Sequence, residues 1–242
     1  RELVGVLVTF AAATVPLYAL AASLLRNGPP LSFPSDMDQL RSLASQLERL
    51  REEHYGRVLC VFSAAYLYKQ TFAIPGSVFL NILGGAVFGV WVALPLVCLL
   101  SACGASLCYL LSLVFGRRLV TRYLGHRLAP LQDRLHSSKG TELLLVLLSL
   151  RLFPMSPNWL LNLSSPLLGV PLHLFFISVL FGLLPYNFLC VQSGLMLAEL
   201  RGVAILDPAS ISLLVLGTVL LLATGLGMRY FHSRLEQTRT SR

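Results

Sequence analysis

The sequence predicts an all-α polytopic membrane protein, a helical bundle in which two opposed re-entrant hairpins form an inverted repeat. Mean hydropathy is +0.73. Only 12% of the 242 residues are charged, against roughly 25% in typical soluble domains. Two long apolar stretches are broken in the same way, by a cation followed by proline and amide residues, at 69–76 and 151–158. Corresponding breaks in two halves of a chain are typical of membrane transport folds.

The first region, residues 1–57, combines a membrane span with a polar segment. Residues 3–25 are long enough to cross a hydrocarbon core of about 30 Å and too long for a signal-peptide core. In the polar segment that follows, leucines recur at 40, 43, 47 and 50. This spacing predicts an amphipathic helix over 38–53 that packs on the membrane surface or on the bundle.

The core region, residues 58–200, contains both hairpins. The apolar run 58–115 carries breaks at Pro75-Gly76, Gly84-Gly85 and Gly89, and it is too short for three full spans. We therefore expect a hairpin that enters from residue 58, turns at Pro75-Gly76 and returns by residue 91, then a span over 92–115. A second hairpin is expected over 142–171 with its turn at 154–157, followed by spans at 173–198 and 210–230.

The two hairpins share a weak internal similarity that favours a repeat. Gly89-Val90 matches Gly169-Val170, and Asn81 matches Asn162. Each hairpin returns the chain to the side from which it came. Because one full span, 92–115, lies between the two hairpins, they enter from opposite sides. Two tilted full spans would give the same parity, and that alternative stays open.

Charge asymmetry orients the chain in the membrane. The loop 116–139 is strongly basic, and so is the tail that ends the last region, 201–242. Segments 26–57 and 199–208 are balanced or acidic. Because basic loops stay on the cytosolic side, the sequence predicts a cytosolic loop 116–139 and cytosolic termini.

Two cations inside apolar stretches are the strongest functional candidates. A cation at the bilayer centre is disfavoured by about 2.5 to 3.5 kcal/mol, so Lys69 and Arg151 each need a partner or water. One reading places both at a hydrated cleft that attracts anionic phosphate groups. The alternative is structural: Lys69 reaches towards the interface, and Arg151 caps carbonyls freed by the nearby prolines.

Turn residues and neutral amides extend this polar set. Prolines free backbone groups by breaking helices, and a buried amide either joins two helices or contacts a ligand. The predicted pathway residues are Lys69, Gln70, Phe72, Pro75, Gly76, Asn81, Arg151, Pro154, Pro157, Asn158, Asn162, Asn187 and Gln192. The cysteines and histidines are scattered and show no metal-ligand spacing, so we expect no metal. We also expect no cofactor, no catalytic residue and no nucleic-acid partner.

Three ordered motifs make the chain recognisable: Y-L-Y-K-Q-T-F-A-I-P-G-S-x-F-L-N at 66–81, C-G-A-S-L-C-Y-L-L-S at 103–112, and R-L-F-P-M-S-P-N-W-L-L-N at 151–162. Over residues 58–200 the chain resembles the VTT-domain, DedA-like superfamily and, within it, the eukaryotic transmembrane protein 41 family. The resemblance implies two opposed re-entrant loops in a helical bundle. It also implies phospholipid scrambling in the endoplasmic reticulum membrane, as attributed to relatives that act in autophagy and lipoprotein export.

The chain departs from bacterial relatives at the first hairpin turn. Those relatives carry acids in an E-x-x-x-P-x-P-x-E pattern, where this sequence has Gln70 and Ser77 nearby, and residues 58–91 and 143–171 contain no Asp or Glu. We therefore expect energy-independent movement of glycerophospholipids between leaflets, with membrane phospholipids as partners and membrane proteins as candidate partners. A proton- or ion-coupled transporter and a non-transporting membrane scaffold are the alternatives.

Overall fold

A computed structural model describes residues 2–24, 37–116, 140–152 and 157–199. Every regular element in these ranges is helical, which confirms the all-α prediction. The helices are α1 (Glu2–Leu24), α2 (Met37–Thr71), α3 (Ser77–Leu111, extended by a π-helical turn, Ser112–Gly116), α4 (Thr141–Leu152), α5 (Asn158–Ser164), α6 (Leu172–Gly182) and α7 (Leu184–Glu199). The predicted basic loop, the span at 210–230 and the tail lie outside the described residues.

Two helices in the described part are long and apolar enough to cross a membrane. They lie at Val4–Ala22 and Ser77–Gly116, and a third span results if α6 and α7, which meet at 41°, count as one bent element. Helix α1 matches the predicted first span. Its contacts are with α2 and with the end of α3: Phe10 packs on Tyr68 and Phe72, and Gly5 lies against the Phe115 ring.

Helix α2 contains two parts joined at His54, whose backbone is non-helical (φ −139°, ψ 53°). The first part confirms the predicted amphipathic helix, because Leu40, Ala44 and Leu47 are buried in the main core cluster and Leu43 and Leu50 pack against it. The guanidinium of Arg51 donates to the carbonyl of Val87, close to the break in α3. The bundle, rather than the membrane surface, therefore receives the apolar face of this helix.

Helix α3 reverses direction at Gly89, where φ is 71° and ψ is 167°. The Tyr66 hydroxyl lies 2.8 Å from Asn81 Oδ1 and 2.7 Å from Ser101 Oγ. In one continuous helix Asn81 and Ser101 would be about 30 Å apart at 1.5 Å per residue. The chain must therefore fold back between them, and residues 77–88 and 90–116 are separate helices that both pack against α2.

The expected break at Gly84-Gly85 is wrong. Both glycines are buried inside a continuous helical segment. A Cβ at Gly85 would collide with the Val191 carbonyl, and one at Gly194 would collide with the Ile82 carbonyl. These glycines let the backbones of α3 and α7 approach closely, a use that small residues have in membrane bundles.

The second half of the described chain contains four helices of 7 to 16 residues. Helix α4 leads towards residues 153–156, which lie outside the described residues, and α5 begins after Pro157. Gly169 has a positive φ of 73° and precedes α6. The predicted single span over 173–198 is instead two helices bent by 41°, with Gly182 and Pro185 on either side of Leu183. Those two residues are ordinary helix-breaking signals.

Two buried clusters hold the bundle together. One joins α2, the first part of α3, and α7; the other joins the second part of α3 to α4 and α6 around Leu147, Phe175 and Val179. The segment 90–116 contributes to both clusters, through Ala93 and Val97 in the first and Ala102 and Ala105 in the second. It is the element shared by the two hairpins.

Candidate functional site

A polar network lies inside the first hairpin. The Tyr66 hydroxyl donates to Asn81 Oδ1, and because its single hydrogen is used there, Ser101 Oγ is the donor in their 2.7 Å contact. Asn81 Nδ2 then donates to Asn187 Oδ1 at 3.0 Å, and Asn187 Nδ2 points to Cys98 Sγ at 3.5 Å. All of these side chains are buried. The network connects α2, both parts of α3, and α7.

Lys69 lies close to the turn of this hairpin. It is 3% exposed, and its ammonium donates to the hydroxyl of Ser77, the first residue of α3. Gly76, which precedes Ser77, has φ 101°, a conformation that glycine adopts at no steric cost. The turn thus places the Lys69 ammonium at the amino-terminal end of residues 77–88.

Arg151, in the second hairpin, is held by uncharged groups. It is 5% exposed; Nε donates to Ser178 Oγ at 3.1 Å, and Nη1 donates to Asn162 Oδ1 at 3.3 Å. Its guanidinium carbon lies 4.8 Å from the centre of the Phe175 ring. Among the described residues Arg151 makes no ion pair, so its charge is oriented but not neutralised.

Several polar atoms in the described part are buried without a hydrogen-bond partner. They include Arg151 Nη2, Asn158 Oδ1 and both amide atoms of Gln192. Buried polar groups are normally paired, and exceptions call for an explanation. Asn158 is four residues before Asn162 on α5, so the two asparagines share a helix face. Asn158 therefore lies one helical turn from Asn162, the residue that binds Arg151 Nη1.

The two hairpins use matching partners. In each, a residue of the helix before the break bonds an asparagine after it and a serine on a later helix: Tyr66 with Asn81 and Ser101, and Arg151 with Asn162 and Ser178. The central residue differs: one hairpin has a phenol and the other a guanidinium.

The bend between α6 and α7 lies between these two sites. On one side, a Cβ at Gly182 would lie 2.9 Å from Arg151 Cβ, so Arg151 packs on bare backbone there. On the other side, Asn187 bonds Asn81. One bent element therefore contacts both hairpins through residues only five positions apart.

The remaining predicted residues have mixed placements. Gln70 packs on Gly104, Phe72 is part of the aromatic cluster with Phe10 and Tyr68, and Pro75 and Pro157 are exposed. Pro154 lies outside the described residues. Lys69 and Arg151 have different partners, and in the described part Arg151 donates to side-chain oxygens.

Sequence reasoning missed the partners that orient the candidates. Tyr66 opens the first of the three motifs, and Ser101 lies in the apolar run 58–115. Ser178 lies 27 residues from Arg151, so no local spacing could have paired them. A serine or tyrosine inside an apolar helix is the available signal, because such groups need a partner in hydrocarbon.

Comparison with known proteins identifies the family. Residues 74–196 match the VTT domain. The chain is 36% identical over 220 residues to the transmembrane protein 41 homolog of Caenorhabditis elegans, covering 89% of each chain. It is 37% identical over 198 residues to transmembrane protein 41B of Gallus gallus, covering 77% of this chain and 73% of the relative.

A human protein shows a similar level of identity. Transmembrane protein 41B of Homo sapiens is 38% identical over 170 residues, which are 70% of this chain and 58% of the relative. No solved structure matches the chain. The domain match covers about half of the chain, and these relatives are 36% to 38% identical to it over more than two thirds of its length; the chain therefore belongs to the transmembrane protein 41 family of VTT-domain membrane proteins.

Proposed function

We propose that the protein is an energy-independent phospholipid scramblase of the endoplasmic reticulum membrane. The observation that carries the proposal is the state of Arg151, a buried guanidinium with uncharged partners and an unused donor. Such a group is suited to a phosphate, because guanidinium presents several donors in a fixed fork. The barrier to lipid exchange is the passage of the charged headgroup through hydrocarbon, and a cation at that depth lowers it.

The residues of the hairpins favour passive movement over coupled transport. Proton-coupled carriers rely on acids or histidines inside the membrane, and neither hairpin segment, 58–91 or 143–171, contains Asp, Glu or His. Lys69 supplies a second buried cation at the turn of the first hairpin. Headgroups then pass along cations and amides, while acyl chains stay in the surrounding lipid.

The proposal includes two opposed re-entrant hairpins related as an inverted repeat. Residues 77–88 would be about 18 Å long and the 7-residue α5 about 10 Å, both well short of a core of about 30 Å. The matching asparagine and serine partners of Tyr66 and Arg151, and the positive φ angles at Gly89 and Gly169, support the repeat.

Reconstitution tests this function. Purified protein is placed in liposomes with fluorescent phospholipids in both leaflets, and a membrane-impermeant quencher is added without any ion gradient. A scramblase lets the quencher remove nearly all fluorescence, whereas protein-free vesicles lose only the outer half. Quenching that requires a proton or sodium gradient would favour the coupled transporter. Protein-containing vesicles that behave like empty ones would favour the scaffold.

A further inference from the structure

Arg151 and Asn158 leave one donor and one acceptor unpaired in the same part of the second hairpin. Nη2 of Arg151 offers an N–H, and Oδ1 of Asn158 offers an acceptor; both atoms are buried. The other guanidinium nitrogens are already bound, Nε to Ser178 and Nη1 to Asn162. Together with the second N–H of Nη1, these two atoms are what remains for a ligand once the protein has oriented the arginine.

Helix geometry places Asn158 one turn from the asparagine that binds Arg151. Asn158 and Asn162 are one turn apart on α5, and residues at this spacing are about 5 to 6 Å apart at Cβ. Because Asn162 Oδ1 is 3.3 Å from Arg151 Nη1, Asn158 lies one turn further along the same face. A ligand bridging Nη2 and Asn158 Oδ1 needs an anionic acceptor at one end and an N–H donor at the other.

We propose that this pair selects phospholipids whose headgroup carries a protonated primary amine, the ethanolamine and serine classes, over choline lipids. The inference rests on the proposed function. The phosphate accepts from Arg151 Nη2, and the ammonium, two carbons away along the headgroup, donates to Asn158 Oδ1. Phosphatidylcholine satisfies only the first contact, since its quaternary ammonium has no N–H, and it leaves a buried acceptor unpaired.

The aromatic ring at this site does not offer a binding face to the choline ammonium group. Quaternary ammonium groups are usually bound over aromatic faces, but the Phe175 ring is already covered by the Arg151 guanidinium at 4.8 Å. A choline group would also bring a second positive charge near that cation without a hydrogen bond to offset it. Discrimination against choline thus follows from the same contact that orients Arg151.

A series of N-methylated lipids tests the proposal. Scrambling and binding are measured for phosphatidylethanolamine, its mono- and dimethyl forms, and phosphatidylcholine, which differ only in the number of N–H donors. One hydrogen bond is worth about a two- to tenfold change. We expect the largest drop at the last methylation, from dimethylethanolamine to choline, because one remaining N–H is enough for Asn158. An even response across the series would overturn the proposal.

Variants connect the preference to the residue. Asn158→Leu should remove the discrimination, so that ethanolamine and choline lipids bind equally and are moved at equal rates. Gln46→Leu, an amide of the amphipathic helix, is the matched control and should keep the preference. If Asn158→Leu fails to fold, the methylation series on the unaltered chain still decides. A preference that survives in a well-folded Asn158→Leu protein contradicts the assignment.

Binding separates this inference from the proposed function. Short-chain dihexanoyl phosphatidylethanolamine and phosphatidylcholine are added to the protein in detergent, and the shift in unfolding temperature is compared for the two lipids. A larger shift with ethanolamine that is lost in Asn158→Leu supports the inference even if reconstituted protein moves no lipid. Equal shifts overturn it even if scrambling is found, and they favour water as the partner of the two atoms.

Discussion

Arg151 is positioned by its neighbours in a way that keeps its charge available. Ser178 and Asn162 fix the plane of the guanidinium, Phe175 covers one face, and Gly182 leaves room for the side-chain stem. A carboxylate in place of either partner would neutralise the group and weaken its attraction for phosphate. Uncharged partners instead orient the cation at a smaller cost, which suits the transient contact with headgroups that we propose.

Replacing Arg151 should separate transport from folding. Arg151→Leu is expected to lower the scrambling rate at least tenfold, because the charge that offsets headgroup desolvation is lost. Arg151→Lys should restore part of the rate, since a point charge replaces a fork of donors. Lipid exchange in vesicles and thermal unfolding in detergent are measured for the same preparations. A well-folded Arg151→Leu protein with unchanged exchange would remove Arg151 from the mechanism.

Tyr66 should act on stability and little on transport. Tyr66→Phe removes the donor to Asn81 and the acceptor for Ser101 in a buried network, at an expected cost of about 1 to 2 kcal/mol. Tyr68→Phe is the matched control, because Tyr68 is only partly buried and bonds Thr14 at an exposed position. We expect a lower unfolding temperature for Tyr66→Phe alone. Equal unfolding temperatures for the two variants would show that the network contributes little.

At the level of elements, glycine has two opposite uses in one helix. Gly89 reverses the chain, whereas Gly84 and Gly85 allow close packing. Sequence alone predicted breaks at both places, because glycine disfavours a helix wherever it occurs. What distinguishes them is a neighbour distant in sequence: Val191 lies against Gly85, while the surroundings of Gly89 are open. Such contacts carry no local signal.

Gly89 therefore offers a specific test of the reversal. A Cβ there meets nothing within 4 Å, so Gly89→Ala changes backbone strain without a collision. Its φ of 71° and ψ of 167° lie in a region almost confined to glycine, and we expect a loss of about 1 to 3 kcal/mol.

Gly56→Ala is the control for this change. Gly56 is also free of neighbours within 4 Å and lies in a helix, where alanine is favoured over glycine. Unfolding temperatures of both variants are compared with that of the original chain. We expect a decrease for Gly89→Ala and none for Gly56→Ala; a Gly89→Ala protein as stable as the original would argue against the strained reversal.

For the whole molecule, the sequence predicted the class, the first span and the amphipathic helix, because each depends on composition or local periodicity. It did not predict which polar groups meet. Arg151 with Ser178 and Asn81 with Asn187 join residues far apart in the chain, and their pairing depends on how the helices pack. The neutral environment of Arg151, on which the proposed function depends, was therefore visible only in the structure.

The first turn, at Gly76, is predicted to lie inside the bilayer. A single cysteine at Gly76 should resist membrane-impermeant thiol reagents from both sides of sealed vesicles, because the returning segment 77–88, about 18 Å long, reaches only part of the way across the bilayer. Two tilted full spans would instead expose residue 76 on the side opposite residue 56.

Cysteines at Gly56 and Gly140 are the controls for that measurement, with labelling of the unaltered chain as background for the five native cysteines. Both positions are exposed ends of apolar segments, and residues 56 and 140 should react from opposite sides, because the chain crosses once between them, over 90–116. Labelling of residue 76 by the same external reagent that labels residue 140 would replace the re-entrant hairpin with two full spans. Protection of residue 76 from both sides, together with opposite labelling of the controls, is what a half-membrane turn requires.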